Sequence, residues 1–126
     1  KYKISFICLA GYMKIISKKF INEFRQKIIN IHPSLLPKFK GLNTYERILE
    51  KKEKRSGCTV HYIDEKLDNG KIILQKFFFI EEGYGVNELK EKTQNLENKS
   101  FSEALIRIYR HTNPWKKNQF HYEHFQ

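Results

Sequence analysis

The run Lys27-Ile28-Ile29-Asn30-Ile31-His32, stopped by Pro33, is the tightest constraint on what this chain can fold into. It is strand-like. Pro33 has no N–H to give to a ladder and biases the residue before it toward extended backbone, so the strand ends at His32. Asn30 and His32 are two apart, which sends both side chains out of one face. In an open α/β sheet, ligands collect at the carboxyl ends of strands. An amide and an imidazole therefore meet in a candidate crevice.

The other elements fall around this strand. Residues 3–9 are almost continuously apolar, as in a strand buried on both faces of a parallel sheet. Such a strand needs neighbours on both sides, and the chain has few to offer. Residues 17–25 predict a short helix, with Ser17 as N-cap and Phe20, Ile21 and Phe24 facing inward. Pro33, Pro37 and Gly41 mark a loop. Asn43 is then placed to cap a helix running to about Lys52, with Glu46 at the capping-box position. Strands are expected at about 57–63 and 71–80, around an acidic loop at 64–70. A long helix over roughly 86–110 carries the stripe Val86, Leu89, Thr93, Leu96, Leu105 and Ile108. The chain divides at about residue 110, because the tail 111–126 has no clear period. The fold class is α/β, a largely parallel sheet flanked by helices.

Length and composition exclude several classes. The 126 residues are 40% hydrophobic, enough for one modest core. No apolar run approaches the ~18–20 residues of a membrane span, and the first is too short for a secretory signal. Cys8 and Cys58 are isolated, without metal-ligand spacing, and fit free buried thiols in a reducing cytosol. The formal charge of +10 raises the possibility of nucleic acid. The lysines are scattered, however, with tight clusters only at 18–19, 51–55 and 116–117. No aromatic–basic motif stands out, so a solvated surface is the expected role of the charge. His111, His121 and His124 lie in an aperiodic aromatic tail without cysteine companions, so no metal is expected.

Four blocks carry a resemblance. They are Leu9-Ala10-Gly11-Tyr12-Met13-Lys14-Ile15-Ile16; Asn30 to Pro37 with Gly41; Gly57-Cys58-Thr59-Val60-His61; and Leu67-Asp68-Asn69-Gly70 with Ile72-Ile73-Leu74-Gln75. In this order and spacing, from Leu9 to about Arg110, the chain resembles the C-terminal half of the glycinamide ribonucleotide formyltransferases. These belong to the folate-dependent formyltransferase family. The resemblance implies a Rossmann-like formyltransferase fold, cytoplasmic, whose N-terminal portion is missing here. It also implies transfer of a formyl group from 10-formyltetrahydrofolate to glycinamide ribonucleotide in purine synthesis. The family grips the substrate phosphate with a glycine-rich loop after its first strand. Nothing in this chain supplies that loop.

Roles carry over residue by residue. Formyl transfer passes through a tetrahedral oxyanion that needs positioned donors and a proton path. The resemblance assigns the donors to Asn30 and His32, and to Asp68 the carboxylate that favours a protonated imidazole. Met13, Lys14, Ile15, Ile16 and Ile21 resemble the wall that takes the pterin. The backbone of Ile63, Asp64, Glu65 and Leu67 resembles the loop that hydrogen-bonds its edge, and His61 matches a position lining the same cavity. Gly11, Met13, Pro33, Gln94 and Glu97 match substrate positions, the last two sharing a helix face. Two residues depart from the pattern: Lys14 stands where arginine is common, which weakens any planar contact, and Ser56 where histidine is frequent.

Rival expectations are a methionyl-tRNA formyltransferase, a formyltetrahydrofolate hydrolase, an inactive truncated remnant and a basic nucleic-acid-binding module. Gly41-Leu42-Asn43-Thr44 and the Gln94/Glu97 pair favour the purine enzyme over the tRNA enzyme.

Overall fold

The computed structural model describes residues 7–10, 17–19, 28–64 and 69–112. Four strands form one sheet in the order β1 (Ile7–Ala10), β2 (Ile28–His32), β3 (Arg55–Tyr62) and β4 (Ile72–Phe79). Among the described residues the helices packed with them are α1 (Thr44–Glu50) and α2 (Val86–Thr112). β2 ends at His32, where Pro33 stops the ladder. β1 pairs with β2 in parallel, while β2–β3 and β3–β4 are antiparallel. The α/β class holds, but the described sheet is mixed. Its parallel character is confined to β1–β2, a correction to the largely parallel expectation.

Alternation gives the sheet two different faces. Ile29 and Ile31 of β2, Cys58 and Val60 of β3 and Leu74 of β4 meet Ala104 and Ile108 of α2 in one buried cluster. Burying each isoleucine, leucine or valine of this cluster contributes roughly 1.5–3 kcal/mol. The intervening residues Asn30, His32, Thr59 and His61 point to the other face and are equally buried.

α2 packs through a stripe of Leu89, Thr93, Ser100, Ala104 and Ile108, all buried. Leu105 is exposed, contrary to its expected place on the inner stripe. Between Leu89 and Ile108 the stripe is filled by the smaller side chains Thr93, Ser100 and Ala104, which let the helix lie close on the sheet. Their hydroxyls are satisfied within the helix: Thr93 Oγ1 donates to the Leu89 carbonyl and Ser100 Oγ to that of Leu96, both at 2.7 Å.

Asn43 stands at the N-cap of α1, but its side chain makes no capping hydrogen bond. Its backbone is left-handed (φ 54, ψ 40), whereas side-chain capping requires the extended region. The turn is closed by other groups, with Thr44 Oγ1 donating to the Gly41 carbonyl at 3.2 Å. Cys8 is exposed, against the buried expectation. Cys58 is buried, donating to Ser100 Oγ at 3.2 Å. The proposed helix over 17–25 and the tail lie mostly outside the described residues. Among the described residues no helix is long and apolar enough to cross a membrane.

Candidate functional site

The site is built on the sheet face opposite α2. Asn30 lies directly across from His61, and His32 from Thr59, which in turn faces Gln75 of β4. Directly opposed residues of antiparallel strands bring their Cβ atoms within about 4.5–5.5 Å. Asn30, His32 and His61 are thus gathered on one surface, each at most 2% exposed.

The loop after β2 fixes the His32 ring. Nε2 lies 2.8 Å from the Phe39 carbonyl. A carbonyl oxygen only accepts, so Nε2 carries a proton. His61 is set in the same way, its Nδ1 donating to the Tyr62 carbonyl at 2.9 Å.

One hydroxyl holds the loop to the sheet. Thr59 Oγ1 donates to the Ser34 carbonyl at 2.7 Å and accepts the Leu36 amide at 3.1 Å. It also accepts Gln75 Nε2 at 2.9 Å, and the same amide group reaches the Leu36 carbonyl at 2.8 Å. Within the loop, Ser34 Oγ donates to the Lys38 carbonyl at 2.6 Å. At its far end, Arg47 Nη2 donates to the Lys40 carbonyl at 2.5 Å, and its guanidinium lies over the Phe39 ring. The Leu36–Pro37 peptide is cis. Thr59 and Gln75 carry no role in the sequence reading beyond belonging to the matching blocks. Their signal was period two: Thr59 shares its face with His61, and Gln75 sits across from it.

The other expected residues are spread more widely. Pro33 is buried beside His32. The Ile63 amide donates to the Ile28 carbonyl at 3.0 Å. Asp64 Oδ2 accepts from Asn69 Nδ2 at 3.3 Å, and Asn69 Oδ1 accepts from Lys40 at 2.9 Å. This chain of contacts ties the turn after β3 to the His32 loop. Gln94 is exposed, while Glu97 is half-buried on the α2 side of the sheet, near enough to Tyr45 to disfavour its ionisation. Burial pushes the Glu97 carboxyl up to about 7 and, with Glu97 as a lesser cause, the Tyr45 hydroxyl to about 12. Gly11, Met13, Lys14, Ile15, Ile16, Ile21, Glu65, Leu67 and Asp68 lie outside the described residues. Among those described, no three His, Cys, Asp or Glu side chains are grouped to hold a metal ion.

A family model described as formyl transferase matches residues 1–105. The chain belongs to the formyl transferase family. A trifunctional purine biosynthetic protein adenosine-3 of Drosophila pseudoobscura pseudoobscura is 48% identical over 103 residues, covering 82% of this chain and 8% of that protein. A phosphoribosylglycinamide formyltransferase of Haemophilus influenzae is 42% identical over 112 residues, covering 83% of this chain and 53% of that protein. The crystal structure of phosphoribosylglycinamide formyltransferase from Bacillus halodurans matches with a TM-score of 0.79 at 37% identity. That match covers 83% of this chain and 54% of the other. The chain thus spans about half the length of these bacterial formyl transferases and a small part of the trifunctional protein. The mixed sheet with flanking helices is the fold shared with these formyl transferase relatives.

Proposed function

We propose that this formyl transferase chain carries the folate-binding and catalytic part of a phosphoribosylglycinamide formyltransferase, working in the cytosol on 10-formyltetrahydrofolate and glycinamide ribonucleotide. The observation that carries the reading is the buried Asn30/His32/His61 surface, with the His32 ring fixed by the Phe39 carbonyl. In the reaction the acceptor amine forms a bond to the formyl carbon, and the carbonyl pair moves onto oxygen. That pair then returns, the bond to the folate nitrogen breaks, and this nitrogen takes the proton the amine gives up.

Asn30 would donate its amide N–H to the oxyanion. Because Nε2 of His32 is bound to Phe39, donation from this ring falls to Nδ1, which requires the imidazolium. Asp68 would stabilise that cation and assist the proton transfer. His61, the turn residues Ile63, Asp64, Glu65 and Leu67, and the segment Met13 to Ile16 with Ile21 would hold the folate. Gly11, Met13, Pro33, Gln94 and Glu97 would contact the ribonucleotide. Since α2 covers the face opposite His32, contact from Glu97 would come round the end of the sheet.

The test is formyl transfer by the chain supplied with both substrates. His32→Ala is expected to lower kcat by about 10²–10³, the usual cost of one oxyanion donor, with KM little changed. Transfer to water or to methionyl-tRNA in preference to glycinamide ribonucleotide would overturn the reading.

A further inference from the structure

Behind the His32 loop lies a cleft of about 470 Å³ that the formyl-transfer chemistry does not use. Its volume is in the range of small-molecule sites. Leu36, Phe39, Ile48 and Phe77 supply apolar walls, and Lys38, Glu53, Arg55 and Lys76 stand around them. Three cations face one carboxylate, and their pairings decide what charge is left. Lys38 meets Glu53 at 3.5 Å, and Lys76 turns away to Glu103 at 2.5 Å. Arg55 has no carboxylate partner among the described residues. Its guanidinium is laid over the Phe77 ring, 5.1 Å from the centroid. Ser56, also lining the cleft, has a buried hydroxyl with no hydrogen-bond partner among the described residues.

We propose that this cleft is a second ligand site, separate from the Asn30/His32 surface, for a planar aromatic molecule bearing one carboxylate. The single unpaired charge on the wall matches a monoanion and falls short of a dianionic phosphate ester. A guanidinium offers a carboxylate two parallel hydrogen bonds. Two phenylalanine rings beside an apolar floor favour a flat hydrophobic body. Because Phe39 is part of the wall, an occupant also touches the residue whose carbonyl holds His32.

The test is titration of the full chain with 2-naphthoate, followed by amide shifts in nitrogen–proton NMR spectra. Saturable shifts are expected at Leu36, Phe39, Arg55, Ser56 and Phe77. Arg55→Ala should weaken binding about tenfold, as loss of one charge-assisted contact does, and Arg55→Lys should recover only part of it. Neutral 2-naphthylmethanol should bind more weakly, and 2-naphthyl phosphate no more tightly, than 2-naphthoate. Shifts centred on Asn30 and His61, shifts scattered over the chain, or an affinity unchanged by Arg55→Ala would each overturn the assignment.

Discussion

At the scale of single residues, two polar groups drawn into packed surroundings are informative. Glu97 follows Thr93 by one turn, so the stripe that buries Leu89, Thr93 and Ala104 also draws in its carboxyl. With a folded value of about 7 against an ordinary 4.5, the folded state binds more protons than the unfolded one between those values. Stability therefore declines as pH rises from about 4.5 to 7 and stays lower above. Glu97→Gln should raise the melting temperature at pH 8 and change it little at pH 4, as paired thermal melts would show. Thr59 is the other case. Thr59→Val keeps the shape but strands the Leu36 amide and the Ser34 carbonyl, at a cost of about 1–3 kcal/mol. Urea unfolding would give that cost, and faster exchange of the Leu36 amide would locate it. Neither role was legible in the sequence. A threonine in a strand reads the same whether its hydroxyl meets water or a loop residue 25 positions away. Glu97 was singled out with Gln94 as a match to a substrate position, and nothing in the sequence marked its carboxyl as drawn into the packed stripe.

At the scale of elements, the residues that set boundaries were the readable ones. Pro33 ended β2 as expected, and the strands near 57–63 and 71–80 and the helix near 86–110 all formed within two residues of their expected ends. The start of α1 was read correctly, but its cap was not, because no local pattern announced the left-handed entry at Asn43. Leu105 was misplaced because the reading sought large apolar side chains where the inner stripe holds Ser100 and Ala104. Strand direction was legible only in part: the connection from Tyr62 to Ile72 is too short for the crossover a parallel pair needs, whereas the longer, helix-bearing connection from β2 to β3 fits either sense. Gly57 shows how close β3 and β4 lie. A Cβ there would collide with the Lys76 carbonyl and come within 2.8 Å of Phe77 Cα. Gly57→Ala should therefore force the strands apart and destabilise by about 1–3 kcal/mol or more, measurable in denaturant melts.

At the scale of the whole molecule, β4 is the outer strand of the described sheet and carries an exposed aromatic pair. Phe77 and Phe79 are 50% and 69% exposed, with ring centroids 5.6 Å apart. Apolar edges of this kind invite pairing between chains. Light scattering should show the average mass rising with concentration, and Phe79→Lys, a charge on the edge, should suppress that rise. Asn30 and His32 could be put on one face from their spacing alone; that His61 joins them there depended on the antiparallel register of β2 against β3. The two-sided sheet gives these strands something like a reading frame. A substitution changes one side chain, but one residue inserted in β2 ahead of Asn30 would send the amide and the imidazole into the helix-packed core. The isoleucines would then face the side that Asn30 and His32 now occupy. Point changes can vary one face gradually, whereas length changes inside β2 or β3 would exchange the polar face and the core in one step.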